Sequence, residues 1–370
     1  MALTNFGALH DPQLMIWSRR FWKEARNRSF VMPFVGDSAD SMIQRVTELT
    51  ETKSGNVCVM TLLLDAQGDG IVGDNQAKGN EEALGLDQNQ IRFDQLRFAH
   101  ANSGRMSDQK TIVNFRTNAK DQIGNRHAQV MDEVAFLTLS GVSYAYKTDG
   151  TARVGSQLSQ LEYAADVTAP TAGRHLRWHA TNGLLAANTA AITPTDKPSW
   201  KMLVETKAYA VNSFLKPIRT ENNIEVYNVF MTPDGIAKLK QDADFLAAWK
   251  DARERGESNP LFKGSPHGGR RGIFVDGLNI LEYRNVYHPS NWGSGGDVKG
   301  QRVLFCGAQA LGFADPLGLG APGWDEEKDD YGNRFGIAGR KVYGFKKPRY
   351  FNTHTQTVED FGVLCLDTAR

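Results

Sequence analysis

The chain of 370 residues carries 43 Lys+Arg against 42 Asp+Glu, with 41% hydrophobic and 23% charged residues, so it exceeds one ordinary core and is neither disordered nor fibrous. A net charge of +1 leaves no basic excess of the kind a dedicated nucleic-acid binder shows. No apolar run approaches the ~18–20 residues of a membrane span, and the opening Met-Ala-Leu-Thr-Asn-Phe lacks the stretches of a signal peptide, which predicts no membrane association and retention where the chain is made.

Residues 12–28 mix Leu14, Met15, Trp17, Phe21 and Trp22 with five basic groups, the pattern of an amphipathic helix or arm. Two tryptophans so near a terminus need a partner surface, in this subunit or in a neighbour. Asn56 to Leu64 is a β-rich run, and Ile91 to Phe98 alternates apolar and polar as a half-buried strand does. The polar, Gly/Asp/Asn-rich stretch between them has few apolar anchors and predicts an extended hairpin-like loop that packs on another molecule.

Ser107-Asp108 caps a helix beginning at Gln109, with apolar residues at Ile112, Phe115, Ala119, Ile123, Val130, Val134 and Leu137 and a stop at Gly141. At 1.5 Å per residue its roughly 33 residues span about 50 Å, with Gly124 a weak point inside it. Ser199 to Phe214 reads as a second helix and Ile224 to Met231 as a strand. Thr232-Pro233 opens a helix that resumes after Asp242 and runs to Trp249. Ile273–Tyr283 and Gln301–Cys306 read as strands, 314–336 as a Gly/Pro/Asp loop, and Arg349 to Asp367 as two closing strands. The element order predicts an α+β fold.

Cys58, Cys306 and Cys365 each sit in an apolar run, widely spaced and odd in number, which predicts buried reduced thiols. Charge is uneven along the chain. Residues 65–96 carry seven acids, including Glu81 and Glu82, against two bases, whereas 340–349 carries Arg340, Lys341, Lys346, Lys347 and Arg349 with no acid. Complementary patches of this kind suit contacts between subunits, and solvated faces are the bland alternative.

Chemical motifs fail on inspection. Asp65-x-Gln67-x-Asp69-Gly70 begins like a calcium loop but has Gln76 where a bidentate Glu is required. His175 and His179 have i,i+4 spacing without a third ligand nearby. Gly318-Leu-Gly320-Ala-Pro-Gly323 matches a dinucleotide fingerprint but contains Pro322 and leads into Asp325-Glu326-Glu327. Ser107-x-x-Lys110 fits a helix cap better than a catalytic pair. The reading is therefore that of a structural protein with no catalytic residues, cofactor or metal.

The stretches Trp17-Ser18-Arg19-Arg20-Phe21 with Glu24-Ala25, Thr47-Glu48-Leu49-Thr50, Gly73-Asp74 and Gly79-Asn80-Glu81-Glu82-Ala83-Leu84 carry a resemblance that Asp94-Gln95-Leu96-Arg97, Met106-Ser107-Asp108-Gln109 and Glu359-Asp360-Phe361-Gly362-Val363 continue. In order, and over nearly the whole chain, the sequence resembles the N4-like major capsid proteins of tailed bacteriophages, which have the HK97-like fold. The resemblance implies an N-terminal arm (1–54), an E-loop β-hairpin (55–104), a peripheral domain with a spine helix (105–198), an axial domain (199–340) and C-terminal strands returning to the peripheral domain (341–370).

It also implies self-assembly through hexamers and pentamers into an icosahedral head around the phage double-stranded DNA, which the shell meets by proximity and without sequence reading. The subunit would be made in the host bacterial cytoplasm and end in the virion capsid. Its partners would be its own copies, a portal, a separate scaffolding protein (no coiled-coil segment precedes the arm) and, in some shells, a decoration protein. Trp17, Phe21, Trp22, Glu81, Glu82, Lys346, Lys347 and Arg349 are the candidates for contacts between subunits. An encapsulin-like nanocompartment shares the fold. A metal-dependent hydrolase using His175 and His179 is the reading of a different class, and stoichiometric zinc in purified protein would favour it.

Overall fold

The computed structural model describes residues 29–47, 57–63, 70–76, 78, 81, 85–105, 115–219, 225–254, 272–316 and 323–370. Strands β1 (Val35–Gly36) and β2 (Ile43–Val46) precede the hairpin of β3 (Val57–Leu63) and β4 (Leu86–Arg92), then β5 (Asp94–Ala101) and helix α1 (Phe115–Ser140). Strands β6 (His175–His179) and β7 (Gly183–Ala186) lead to α2 (Trp200–Asn212), β8 (Ile218–Arg219), β9 (Glu225–Met231), α3 (Pro233–Gln241) and α4 (Ala243–Glu254). The remainder is β: β10 (Gly272–Val275), β11 (Leu278–Glu282), β12 (Gly300–Cys306), β13 (Leu311–Ala314), β14 (Gly323–Asp329), β15 (Arg334–Lys346), β16 (Arg349–Asn352), β17 (Thr357–Asp360) and β18 (Val363–Ala369).

Eight strands form a mixed sheet in the order β10-β11-β9-β12-β18-β6-β7, with β8 on β9. Its central strands bury both faces, so alternate side chains enter different cores. Val303 and Phe305 of β12, Val229 and Met231 of β9, and Leu364 and Leu366 of β18 pack with Met202, Leu203, Ile236, Leu239 and Phe245 of the helices. Leu304, Cys306, Phe230, Val363 and Cys365 point the other way, into a core shared with α1. The continuous apolar runs around Cys306 and Cys365 follow from this two-sided burial, and all three cysteines are free and buried.

A second sheet runs β1-β2-β13-β15-β14, with β5 also paired to β15. It contributes Ile43, Phe313, Ile337, Tyr343 and Phe345 to the core around α1. The helix thus lies between two sheets. Its apolar stripe is the expected one, but Met131 to Ser140 is buried on nearly every side, Glu133 alone being intermediate. Gly124 is buried inside the helix and does not divide it. His127 Nε2 lies 3.1 Å from Gly339 O on β15, and burial pushes that imidazole down to about 4, so it is neutral near pH 7.

Two helices open on hydroxyl caps, of which Thr232 is the one the sequence predicts. Ser199 Oγ accepts from Met202 N, and Thr232 Oγ1 accepts from Gly235 N with Pro233 in the first turn.

Several elements differ from expectation. The alternating run 91–98 breaks at Phe93: β4 pairs with β3, whereas β5 pairs with β15 in another sheet. Ile273–Tyr283 is two antiparallel strands joined at Asp276-Gly277, where both residues have positive φ and make a tight turn. The expected loop 314–336 contains β14 and the start of β15, because an acidic strand can hold a sheet edge through backbone pairing alone. The close of the chain has three strands, not two. β15 crosses residue 340, and β18 lies in the middle of the large sheet between β12 and β6. Residues 12–28, the Ser107-Asp108 cap and most of the 64–84 loop lie outside the described residues.

Candidate functional site

The β3–β4 hairpin stands apart from the two large sheets. It forms a sheet of its own, registered from Val57 opposite Arg92 to Leu63 opposite Leu86. At its root Cys58, Met60 and Ile91 pack with Val46, Phe93 and Ala314 in a small separate core. Arg92 O passes so close over β15 that a Cβ on Gly344 would lie 1.9 Å from it, so only glycine fits there.

The cations expected to face a neighbour have partners inside the subunit. Lys346 Nζ donates to Gln90 O at 2.6 Å and sits 3.7 Å from Asp166 Oδ1. Lys347 is 1% exposed, with Nζ 2.7 Å from Asp360 Oδ2, and Arg349 Nε donates to Asp360 Oδ1 at 2.7 Å. Arg349 also bonds Ala169 O, and Thr171 N donates to Asp360 Oδ2 at 3.2 Å. Lys347 is therefore buried within the subunit, its charge met by Asp360. The basic stretch is dense because it ties β15, β16 and β17 to the 166–171 turn. Glu81 is exposed, whereas Glu82, Trp17, Phe21 and Trp22 lie outside the described residues.

The described chain begins in a clasp on α1. Asp132 accepts from Ser29 Oγ at 2.5 Å, Phe30 N at 2.7 Å, Val31 N at 3.1 Å and Tyr283 Oη at 3.0 Å. Burial pushes this carboxyl above its ordinary value against the opposing pull of those four donors. Phe30 stacks on Tyr283 with centroids 4.0 Å apart and touches Phe34, Phe136 and Phe230. The residues leading out of the segment 1–28 are thus fixed firmly to the spine helix.

Other features were not read from the sequence. Beside the hairpin lies a cleft of about 660 Å³ lined by Leu62, Arg174, Phe214, Tyr350, Phe351 and His354 among others. Phe214 has a φ of 56° and stacks on His354 with centroids 3.9 Å apart. The β14–β15 turn holds Asp330, Tyr331 and Gly332 all at positive φ, with the Tyr331 side chain fully exposed. Acid clusters beside Gly residues were the available signal for that turn, and they read as a loop.

His175 and His179 stand on strand β6, not on a helix, and each has a separate neighbour. His175 Nε2 is 2.8 Å from Asp367 Oδ2, while His179 Nδ1 accepts from Thr181 N and Asn182 N. Among the described residues no group of three or more His, Cys, Asp or Glu is placed to hold a metal ion. The calcium-like start at Asp65, the Ser107-x-x-Lys110 pair and nearly all of the Gly318–Gly323 fingerprint lie outside the described residues.

The model of a family described as phage capsid protein matches residues 5–370. The chain is 46% identical over 370 residues to the major capsid protein of Pseudomonas phage KPP25, covering 98% of this chain and 96% of that protein. Among solved structures, the capsid of Ralstonia phage GP4 aligns at 27% identity and a TM-score of 0.75, covering 92% of this chain and 91% of that one. The Cyanophage Pam1 capsid asymmetric unit aligns at 17% identity and a TM-score of 0.67 over 100% and 96% of the two chains. The fold shared with these neighbours is HK97-like.

Proposed function

Since the chain belongs to the phage capsid protein family, we propose that it is the major capsid protein of a tailed phage, assembling through hexamers and pentamers into an icosahedral head around the double-stranded DNA genome. Full-length similarity at 46% identity to a major capsid protein carries this reading. The separate β3–β4 hairpin, and the segment 1–28 that precedes the clasp on α1, are the elements we assign to neighbours, in keeping with many modest contacts repeated by symmetry.

In this reading the inter-subunit residues are Trp17, Phe21 and Trp22 on the arm and Glu81 and Glu82 on the loop, while Lys346 and Arg349 act mainly at the hairpin's own root. A net charge of +1 suits a container whose genome must later leave. A separate scaffolding protein, a portal and a decoration protein are the further partners, and synthesis is in the host bacterial cytoplasm.

Expression with the scaffolding protein of the same phage, followed by electron microscopy, tests the reading. Closed shells are expected, and deletion of residues 1–28 should leave a folded subunit that fails to close them. A full-length chain that stays monomeric beside its scaffold would refute the function. Normal shells from the truncated chain would refute the role of the arm.

A further inference from the structure

The hairpin is joined to the body in an unusual way. Among the described residues its strands pair only with each other: β4 pairs with β3, and the chain then crosses β15 at Gly344 before entering the second sheet as β5. The floor beneath it is smooth, because Gly312 makes room for Ile91 and Met60, whose side chains lie 2.6 and 2.7 Å from where a Cβ would be. Apolar contact on such a floor is non-directional and fixes no angle.

Direction comes from polar groups at the open edge of β4. Arg92 N donates to Asp166 Oδ2 at 3.0 Å, and two residues earlier Gln90 O accepts from Lys346 Nζ at 2.6 Å. In an antiparallel strand, these N–H and C=O groups point to the same side, away from the partner strand. Asp166 and Lys346, 3.7 Å apart, therefore stand in for an absent neighbouring strand: the carboxylate takes the place of its carbonyl and the ammonium that of its N–H. Asp166 is 8% exposed at the end of a short turn of helix, Glu162–Asp166, and Arg92 NH1 lies 3.8 Å from its Oδ1. Further along the strand, Phe351 N donates to Asp87 Oδ2 and Asn89 Nδ2 donates to Arg349 O.

We propose that Asp166 is the positioning residue of this hairpin, forming with Lys346 a latch that sets the angle at which β3–β4 leaves the subunit. The latch thereby sets where the hairpin meets a second copy of the chain. This consequence rests on the capsid reading; the latch itself does not.

Hydrogen exchange on the unassembled full-length chain tests the latch, comparing wild type with Asp166→Asn, Lys346→Met, the double variant and Lys346→Arg. Exchange over 57–63 and 86–92 should quicken about fivefold in either loss variant, with the helix at 115–140 unchanged. The double variant should exchange no faster than the singles, since both remove one latch, and Lys346→Arg should restore slow exchange.

Unchanged hairpin exchange would overturn the proposal, and so would acceleration shared equally by the helix, which marks general destabilisation. Assembly with the scaffold supplies the second readout: shells of altered diameter or reduced closure are expected from the loss variants. Normal shells despite a loosened hairpin would overturn the positioning role. Failure of the wild type to form shells would instead strike the capsid reading and leave the exchange result standing.

Discussion

The buried charge pair under β16 gives a quantitative test of how this region is held together. Asp360 is 0% and Lys347 1% exposed, with Nζ to Oδ2 at 2.7 Å. Asp360→Leu leaves the lysine ammonium buried without its counter-charge, which costs about 3–5 kcal/mol. Lys347→Met leaves Asp360 with the Arg349 guanidinium and the Thr171 amide, so its cost is lower, about 1–2 kcal/mol. Combining the two removes the orphaned charge and should recover about 2 kcal/mol of the cost of Asp360→Leu alone, because a buried ion pair and an apolar pair of similar volume are nearly equivalent. Urea unfolding of the unassembled subunit, followed by tryptophan fluorescence, measures all four corners of the cycle. If Asp360→Leu stays within about 0.5 kcal/mol of wild type, or the double variant falls at the sum of the singles, the pair is not coupled as its geometry requires.

Two further outcomes are expected. Val130, 1% exposed in the core around α1, should not tolerate Val130→Asp: a partnerless carboxylate there costs several kcal/mol, and soluble yield and thermal midpoint at wild-type values would contradict the packing. Asp367 is 0% exposed, and although burial alone would raise its carboxyl, Arg302 at 2.7 Å and the His175 hydrogen bond hold it below the ordinary value. A depressed carboxylate contributes stability that is present above the unfolded pKa of about 3.9 and is lost as pH falls through the lower folded value. The loss caused by Asp367→Asn should therefore be complete near neutrality and shrink below about pH 4; a constant difference from pH 7 to 3 would sink the assignment.

What could be read from the sequence depended on whether a signal was local. Val57–Leu63 and the helix from Phe115 follow from apolar patterning, which one chain segment carries by itself. The break at Phe93 does not, since a period of two continues unaltered when a strand changes partners, and only the second sheet decides where β5 begins. The polar residues on α1 mislead in the same way. Asp132 and Thr138 look like a solvent face, yet Asp132 gathers the Ser29–Val31 backbone and Tyr283, while Thr138 Oγ1 donates to Val134 O and meets Tyr144 Oη at 2.6 Å.

The basic stretch ending at Arg349 shows that charge density in the sequence also marks ion pairs within the subunit. Its ions are close together because Asp166, far away in sequence, and Asp360, just beyond the stretch, are brought under them, and neither acid lies in the acidic stretch 65–96. A run of like charge marks where ions are needed. Whether the need arises within the fold or at a neighbour is decided by residues 180 positions apart in the case of Lys346 and Asp166, and by Asp360, 13 and 11 positions on, for Lys347 and Arg349. At the base of the hairpin Lys346 and Arg349 hold their own strands in place, so the density of that stretch needs no neighbour to account for it, while Glu81 is exposed.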